Sequence, residues 1–317
     1  MKIILCSLMM LFSTVSAFAA EDCPRGDLDK GYCDRDGDML ADLPADKDEW
    51  LDPSTIIFSY TPVEDPAVWA GIWDRFLQHF RDVVGRKVVF FQVQNYAAQL
   101  EALRAGRLHV AGVNAGSTPI AVNCAGFVPV AQMATPAGPW GYDMEIIVPA
   151  GSPIQTVEEL RGKNIAFVSP TSTSGYKAPV QILETEFGLK LDRDYTSRFT
   201  GKHDTSIMGV SNNDYEAAAV AGDLARRMAD RNVLDLKTIR TIYKSELFPG
   251  TAYGVINRLN PDLRAKIVEA FVTYDWKDPK LMNEFPDVDR FIPIDYKDRF
   301  AIIRRIDAKS GVKYDCR

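Results

Sequence analysis

The sequence predicts an α/β protein built from two lobes, in which parallel or mixed sheets are covered by helices and the lobes are joined by a hinge. The length of 317 residues is enough for roughly two domains of about 150 residues each. With 46% hydrophobic and 25% charged residues, the composition is that of an ordinary globular protein. Predicted strands and helices alternate along the chain, and this alternation starts afresh after residue 150, which indicates two units.

The first unit begins with an apolar run, Ile56–Phe58, which is predicted to be a buried strand. Large apolar side chains then recur at helical spacing across residues 67–84, and Gly85 ends that helix. The elements that follow are a strand over residues 87–93, a helix over 96–105 and a strand over 108–113. Strands that alternate with helices in this way are typical of a parallel sheet covered by helices.

The second unit begins after a break at residues 149–153, which include two prolines and a glycine. The strands and helices predicted around the break are a strand over 144–148, a short helix over 157–160, a strand over 164–168, a helix over 173–187, and α/β segments over 215–231 and 236–243. A strand over 251–256 is expected to return to the first unit. The predicted divisions are lobe 1 (residues 55–149 and 252–317), lobe 2 (residues 150–251), and a hinge near Val148–Gly151 and Gly250–Val255.

Residues 1–20 have the features of a secretory signal peptide. Lys2 precedes a short apolar stretch, and small residues that end at Ala20 follow it. We therefore expect export to the periplasm, with cleavage near Ala20. Residues 21–54 form an acidic extension with twelve acidic and four basic residues, whereas the rest of the chain is close to neutral. A solvated extension is the favoured interpretation of this segment.

Removal of the leader leaves four cysteines, and an even number in an exported chain indicates disulfides. Of the three possible pairings, we favour a local bond between Cys23 and Cys33 and a long-range bond between Cys124 and Cys316. The segment 34–42 carries alternating aspartates around a glycine, as in loops that wrap calcium, but it lacks the bidentate glutamate of an EF-hand. Calcium binding there stays open.

Composition excludes several classes of protein. The formal net charge of −6 argues against a protein that coats nucleic acid. No apolar run of 18 residues follows the first twenty, which excludes a polytopic membrane protein. The sequence has no G-x-x-x-x-G-K motif, and its three histidines lack metal-ligand spacing, which argues against a nucleotide triphosphatase and a catalytic zinc site. We expect a monomer without a cofactor.

The hydroxyl-rich stretch Ser172–Ser174 is the candidate binding site. A strand ends at Val168, three hydroxyl residues open the next helix, and Gly175 allows a ligand to approach the backbone closely. The first N–H groups of a helix lack internal partners and carry partial positive charge, so with the hydroxyls they make a cradle for an oxyanion. Plain N-capping explains the same residue types equally well. His203, in a polar loop, is a second candidate for function.

At these residues the sequence resembles the phosphate-, phosphite- and phosphonate-binding proteins of bacterial ABC transporters. The hydroxyl-rich stretch, followed about thirty residues later by the Gly-x-His-Asp loop 201–204, is similar to that family. Residues 138–153 resemble the segment where the family crosses between lobes, and residues 94–113 resemble its second strand–helix–strand unit. The likeness covers roughly residues 55–290 and is strongest to the hypophosphite- and phosphite-binding members. It implies a type II-like periplasmic binding protein fold, a binding protein rather than an enzyme, and an ABC transporter permease as partner.

The resemblance also implies a role for each candidate residue. Ser172, Thr173 and Ser174 are expected to hold the ligand oxygens, and His203 is expected to donate a further hydrogen bond. Tyr96 is expected to close over the ligand from lobe 1, and Trp140 or Tyr142 to form an aromatic wall. Asp223 aligns with the carboxylate of amine-binding members, but residues 249–251 lack the acidic residue that aminophosphonate binders place there. This departure favours a small ligand: hypophosphite first, then phosphite or a small phosphonate.

Two other functions remain open from the sequence. Ser172, His203 and Asp204 could form the triad of a periplasmic serine hydrolase, although the serine is not in a G-x-S-x-G elbow. The same fold could also serve as the ligand-sensing part of a signalling system, which would require a partner chain. For each aromatic residue named above, ordinary core packing is the alternative interpretation.

Overall fold

In the computed structural model, the described residues are 23–69, 71–314 and Cys316, and the predicted signal peptide lies outside them. The strands are, in chain order, β1 (Thr55–Tyr60), β2 (Lys87–Phe90), β3 (Val110–Val113), β4 (Phe127–Thr135), β5 (Gly138–Pro139), β6 (Gly141–Tyr142), β7 (Met144–Pro149), β8 (Asn164–Phe167), β9 (Thr196–Phe199), β10 (Ala217–Ala221), β11 (Ile239–Lys244), β12 (Phe248–Pro249), β13 (Ala252–Ile256) and β14 (Arg290–Pro293).

The α-helices cover the sheets and connect their strands. They are α1 (Asp74–Val84), α2 (Tyr96–Arg104), α3 (Thr118–Ala125), α4 (Ala178–Phe187), α5 (His203–Ser211), α6 (Gly222–Asp230), α7 (Pro261–Val272), α8 (Pro279–Glu284), α9 (Tyr296–Arg299) and α10 (Ala301–Lys309). Short 3-10 helices lie at Lys47–Glu49, Pro66–Trp69, Glu158–Leu160 and Leu236–Thr238, and a π-helical turn lies at Thr173–Lys177. Within the described part of the chain, no helix is long and apolar enough to cross a bilayer.

The first sheet is mixed and has the strand order β14-β4-β13-β3-β1-β2, with β5 paired to β4. Its strands β1, β2 and β3 are parallel, as the strand–helix–strand pattern predicts. Strand β13 lies antiparallel between β3 and β4, which confirms that the chain returns to this sheet after the second unit. Helix α1 covers the sheet because Phe76, Leu77 and Phe80 all lie on its buried face.

The second sheet has the strand order β11-β7-β10-β8-β9, in which β8 is parallel to both β9 and β10. Strand β7 pairs antiparallel with β10 and β11 and therefore belongs to this sheet. The predicted boundary, which left residues 144–149 in lobe 1, is wrong by this one strand. The apolar pattern predicts a buried strand there, but it does not say which sheet supplies the partners.

A two-stranded ribbon, formed by β6 and β12, connects the sheets. Tyr142 pairs with Phe248, and Gly141 pairs with Pro249, so the outward and returning passages of the chain lie side by side. The predicted first hinge segment, Val148–Gly151, is therefore misplaced, because its strand lies inside the second sheet and the crossing precedes it. The predicted second segment begins next to the ribbon, at Gly250, but ends inside β13.

Two helices that the sequence predicts as continuous are each interrupted in the structure. The helix predicted over residues 67–84 is interrupted at Gly71, whose φ of +81° lies outside the helical range, and α1 begins after it. The helix predicted over residues 173–187 is a π-helical turn followed by α4. No prediction covers helix α3 or strand β4, which follow β3 in the chain, and β4 joins the first sheet between β13 and β14.

The N-terminal extension lies against the first lobe. Leu28 and Ala41 are buried, and Leu51 forms a bridge with Leu259, so the expected solvated extension is wrong for these parts. Both predicted disulfides, Cys23–Cys33 and Cys124–Cys316, are formed. The predicted calcium loop brings ligand oxygens of Asp34, Asp36 and Asp38 within 4.8 Å of one another. Those carboxylates accept hydrogen bonds from amides of their own loop.

Candidate functional site

The carboxyl ends of the parallel strands in the two sheets face each other across one cleft. In lobe 1, the segments after β1, β2 and β3 lead to Val63, Tyr96 and Asn114, which all line a cavity in this cleft. In lobe 2, the segments after β8, β9 and β10 lead to residues 172–174, 203 and 223. In α/β proteins, ligands bind beyond the carboxyl ends of the parallel strands, so the topology by itself indicates this cleft as the binding site.

The cavity has a volume of about 40 Å³. It is lined by both lobes and by the ribbon, through Tyr60, Val63, Tyr96, Asn114, Ala115, Trp140, Tyr142, Ser172, Ser174, His203, Ala221, Asp223, Leu224, Arg227 and Thr251. Seven of the eight predicted site residues are in this set. The eighth, Thr173, is buried beside it between Ser172 and Ser174. The structure therefore brings residues that are far apart in the sequence to one place.

The hydroxyl-rich stretch Ser172–Ser174 opens the π-helical turn after β8. Ser172 is the N-cap of this turn, and its Oγ accepts a hydrogen bond of 3.0 Å from the N–H of Gly175. The hydroxyls of Thr173 and Ser174 are buried, and neither makes a hydrogen bond of good geometry among the described residues, although the Tyr142 hydroxyl lies near both. Capping therefore accounts for one of the three hydroxyls. A buried hydroxyl without a partner costs free energy, so the other two are available as donors to a bound group.

His203 is the buried polar group beside this stretch, and it is the first residue of α5 rather than part of the predicted polar loop. Its tautomer follows from its two neighbours. The N–H of Ala221 donates to Nδ1 at 3.1 Å, and Nε2 lies 3.3 Å from Oγ of Ser172. Burial, aided by the positive charge of Arg227, lowers the pKa of His203 to about 3. The ring is therefore neutral at neutral pH. Because Nδ1 accepts a hydrogen bond, the ring proton is on Nε2, and His203 donates toward Ser172 and the cavity.

This tautomer excludes the predicted hydrolase triad. A general base must present an unprotonated Nε2 to the serine and must donate from Nδ1 to a carboxylate. Here Nε2 carries the proton, and Nδ1 accepts from a backbone amide. Asp204 is engaged elsewhere, since its Oδ2 accepts from the N–H of Asp65 in the opposite lobe at 2.9 Å. The alternative that Ser172, His203 and Asp204 form a catalytic centre is therefore wrong.

Tyr96 approaches the cavity from lobe 1 at the first position of α2. Asn95 caps this helix, because its side-chain oxygen accepts a hydrogen bond of 2.8 Å from the N–H of Ala98. The cap fixes the start of the helix and so the position of Tyr96. The Tyr96 hydroxyl is buried and has no hydrogen-bond partner in the described part of the chain. Burial raises the pKa of Tyr96 well above its usual value, so the hydroxyl keeps its proton and is available as a donor.

The ribbon supplies an aromatic wall. The rings of Trp140 and Tyr142 stack with centroids 6.1 Å apart and an interplanar angle of 19°. Burial raises the pKa of Tyr142 to about 12, and nearby hydroxyls of Ser174 and Thr173 oppose this rise. Gly250 allows the returning strand to lie against the Trp140 ring, since an added Cβ would come within 2.4 Å of it. Both aromatic residues line the cavity, and both also pack, partly buried, against the hydrophobic core.

Charged side chains close one side of the cavity. Arg227 and Asp223, four residues apart on α6, form an ion pair with Nη1 2.6 Å from Oδ2. Across the cleft, Glu284 accepts from Arg231 at 3.3 Å and lies 3.6 Å from Nε of Arg227, and Glu64 pairs with Arg231. Two arginines thus face three carboxylates. The positive charge of Arg227 is compensated within the protein, and the guanidinium lies over the ring of Phe285 at 5.2 Å.

The lobes are also in contact through uncharged groups. The N–H of His203 donates to the carbonyl of Val63 at 3.0 Å, and Oγ of Ser117 donates to Oγ1 of Thr171 at 3.0 Å. Gly116 lies against the hydroxyl-rich stretch so closely that an added Cβ would be 2.3 Å from the carbonyl oxygen of Thr171. The structure is therefore that of a closed cleft.

Arg227 is the main lining residue that no sequence prediction includes. Its spacing of four residues from Asp223 places both side chains on one face of a helix, and this spacing was available from the sequence. Tyr60, Asn114 and Thr251 also line the cavity without having been predicted. Tyr60 and Asn114 lie at or just after the carboxyl ends of predicted strands, so the convergence rule could have found them.

Comparison with known proteins gives a match over most of the chain. The family model described as the periplasmic substrate-binding protein of phosphonate ABC transporters matches residues 58–299. The phosphate-import protein of Mycolicibacterium smegmatis is 26% identical over 229 residues, which are 69% of this chain and 71% of that protein. The phosphonates-binding periplasmic protein of Escherichia coli is 26% identical over 206 residues, which are 64% of this chain and 61% of that protein.

Solved structures show the same fold. The binding protein component of a phosphonate ABC transporter from Pseudomonas aeruginosa has a TM-score of 0.73 at 20% identity, over 82% of this chain and 87% of that chain. The protein PhnD1 of Prochlorococcus marinus, solved in complex with methylphosphonate, has a TM-score of 0.72 at 17% identity, over 82% and 99%. These likenesses concern the fold. They confirm the predicted α/β, type II-like periplasmic binding protein architecture, with two mixed sheets covered by helices.

Proposed function

The chain belongs to the family of periplasmic substrate-binding proteins of phosphonate ABC transporters, and from this premise we propose that its own ligand is a small reduced-phosphorus oxyanion. It is a binding component of an ABC importer and not an enzyme. Hypophosphite is the favoured ligand, followed by phosphite and then by a small phosphonate. The bound anion lies in the cleft, between the hydroxyl-rich stretch of lobe 2 and Tyr96 of lobe 1.

The observation that carries this proposal is a set of buried donors without partners. The hydroxyls of Tyr96, Thr173 and Ser174 have no hydrogen-bond partner among the described residues. His203 adds a donor at Nε2, next to Oγ of Ser172. Because buried donors are almost always satisfied, the convergence of Tyr96, Ser174 and His203 on one small cavity, with Thr173 beside it, indicates a bound acceptor with several oxygens. An oxyanion of phosphorus is such an acceptor, and the family is that of phosphonate transporters.

The charges favour a monoanion over a dianion. Asp223 and Glu284 already compensate Arg227, and no other cationic side chain is among the residues that line the cavity in the described chain. The repulsion between a carboxylate and an anion is proportional to the anion's charge and is stronger away from bulk water. Asp223 therefore opposes a dianion about twice as strongly as a monoanion at the same distance. Hypophosphite is a monoanion throughout the neutral range, whereas phosphate is partly a dianion there.

The size and the walls of the cavity also suit a small ligand. A volume of about 40 Å³ has room for roughly three water-sized groups, at about 10–15 Å³ each. The P–H bonds of hypophosphite are nearly apolar and can lie against the rings of Trp140 and Tyr142, while the two oxygens take the donors. An additional P–O⁻ group in that position would lose its hydration without gaining a donor. The protein then discriminates against phosphate because the additional oxygens of phosphate would be desolvated without a hydrogen-bond donor.

The remaining expectations follow from the family. We propose that the protein is exported through the leader 1–20 and hands the bound anion to the membrane permease of its importer. Among the described residues, no acidic side chain of the N-terminal extension lines the cavity. Closure of the two lobes about the ribbon β6–β12 would keep the anion from water until the permease is reached.

The direct experiment is calorimetric titration of the mature protein with hypophosphite, phosphite, methylphosphonate, phosphate and sulfate. We expect hypophosphite to bind most tightly and sulfate not to bind. If neither hypophosphite, phosphite nor methylphosphonate binds more tightly than about 1 mM, which is ~4 kcal/mol, the ligand assignment is wrong. Tyr96→Phe should weaken binding, because it removes an unpartnered donor. Tyr195→Phe is the matched control, because that hydroxyl is also buried without a partner in the described chain but does not line the cavity.

A further inference from the structure

A buried ion pair lies behind the hydroxyl-rich stretch. Lys177 is the last residue of the π-helical turn Thr173–Lys177, and its side chain is only 5% exposed. Its Nζ lies 2.7 Å from Oδ1 of Asp307 on α10, whose side chain is 1% exposed. Burial lowers the pKa of Lys177, and the negative charge of Asp307 opposes this change. Neither residue lines the cavity, so the proposed contacts with the ligand do not use this pair.

The ammonium group of Lys177 also contacts the opposite lobe. Its Nζ donates a hydrogen bond of 2.8 Å to the carbonyl oxygen of Gly116. Gly116 directly follows Asn114 and Ala115, which line the cavity, and it lies against Thr171 with no room for a Cβ. Lys177 therefore joins the lobe 1 loop 114–117 to the turn that carries the unpartnered hydroxyls.

The same ion pair is connected to the C-terminal segment. The second oxygen of Asp307, Oδ2, accepts a hydrogen bond of 3.0 Å from the hydroxyl of Tyr314. Tyr314 is two residues before Cys316, which forms a disulfide with Cys124. Cys124 lies on α3, and α3 begins two residues after Gly116. These contacts connect the loop 114–117 to itself by two routes. One runs through α3, the Cys124–Cys316 bond and Tyr314 to Asp307, and the other runs from Asp307 through Lys177 back to Gly116.

We propose that Lys177, Asp307, Tyr314 and the Cys124–Cys316 bond form one positioning network that holds the hydroxyl-rich stretch against the loop 114–117. These residues do not touch the ligand, and they act through the placement of Thr173 and Ser174. A buried carboxylate needs most of its hydrogen bonds, so the loss of the Tyr314 hydroxyl leaves an oxygen of Asp307 without its donor. Loss of the disulfide releases the segment that carries Tyr314.

Two matched pairs of variants test this network. Tyr314→Phe removes one hydroxyl, and Tyr296→Phe is its control, because the Tyr296 hydroxyl is buried without a partner in the described chain. Cys124→Ala/Cys316→Ala removes the long-range disulfide, and Cys23→Ala/Cys33→Ala removes the local one. For each, amide hydrogen exchange is measured in the unliganded protein, and the Kd for hypophosphite, phosphite and methylphosphonate is measured by calorimetry.

We expect Tyr314→Phe and loss of the long-range disulfide to increase amide exchange in residues 114–117 and 171–177. We also expect them to raise the Kd of the tightest of the three anions by about three- to tenfold, as for a lost hydrogen bond. Neither control should have these effects. Unchanged exchange in both segments would overturn the network. The affinity measurement rests on the proposed function, but the exchange measurement does not, so absence of anion binding to the wild type would count only against the ligand.

Discussion

Gly116→Ala tests whether ligand binding requires the cleft to close as the structure shows it. An added Cβ at this position would lie 2.3 Å from the carbonyl oxygen of Thr171 and 2.6 Å from the amide nitrogen of Thr173. Both are backbone atoms of the opposite lobe, so they cannot rotate away, and the stretch must move by about 1 Å to reach ordinary contact. Such overpacking costs about 1–3 kcal/mol, which corresponds to a rise in Kd of about five- to 150-fold.

The clash exists only between the two lobes. We therefore expect circular dichroism to show that both lobes keep their fold, while the Kd for hypophosphite rises and the radius of gyration of the liganded protein, measured by small-angle scattering, exceeds that of the liganded wild type. Gly151→Ala is the control, because a Cβ there meets no atom within 4 Å. It should bind as the wild type does. A Kd for Gly116→Ala within about twofold of the wild-type value, which is less than 0.5 kcal/mol, would refute the inference that ligand binding requires this contact.

Substitutions in the cavity separate the contribution of the donors from that of the charges. Ser174→Ala removes an unpartnered hydroxyl and should raise the Kd for hypophosphite about tenfold, whereas Tyr195→Phe should not change it. Asp223→Asn should raise the affinity for phosphate relative to hypophosphite at pH 8 by about tenfold, as judged by calorimetry against Asp230→Asn on the exposed side of the same helix. His203 has a folded pKa of about 3, below its unfolded value of about 6.5, so the free energy of unfolding should decrease as the pH falls from about 6.5 toward 3. His203 contributes a slope of up to about 1.4 kcal/mol per pH unit to this decrease. The free energy of unfolding of His203→Gln, measured by guanidinium titration at each pH, should not show this contribution.

Each of these expectations has a result that would contradict it. Equal affinities for Ser174→Ala and the wild type would mean that the unpartnered hydroxyl does not contact the ligand. An unchanged ratio of phosphate to hypophosphite affinity in Asp223→Asn would mean that the carboxylate does not set the charge preference. An unchanged decrease of stability with pH in His203→Gln would mean that other groups bind the protons.

The meeting of the site residues follows from local sequence patterns and one topological rule. The strands before Tyr96 and Ser172 are recognisable as short apolar runs, and each ends a few residues before its site residue. The strand before His203, Thr196–Phe199, is polar and mostly exposed, and no pattern predicted it. Because parallel strands place their carboxyl ends at one edge, these residues had to be brought to the cleft side of their sheets. The disulfide Cys124–Cys316 was one of three possible pairings, and the fold selects it by placing α3 beside the C-terminal segment.

Contacts between the lobes were beyond the reach of the sequence. The run of residues 144–149 is equally apolar whether it joins the first sheet or the second, so the predicted lobe boundary was wrong by one strand. The pairing of Arg227 with Glu284 and the approach of Gly116 to Thr171 depend on how two separately formed units close. No periodicity within one element contains that information, because it arises from the relative placement of the lobes.

A crystal structure of the protein grown with hypophosphite tests the central claim most directly. We predict phosphorus density between the turn Thr173–Lys177 and the ring of Tyr96, with its oxygens within hydrogen-bond distance of Oγ of Ser174 and Nε2 of His203. The P–H side should face the rings of Trp140 and Tyr142. Hypophosphite bound outside the cleft, or a cleft that closes with Ser174 and Tyr96 hydrogen-bonded to protein groups alone, would contradict it.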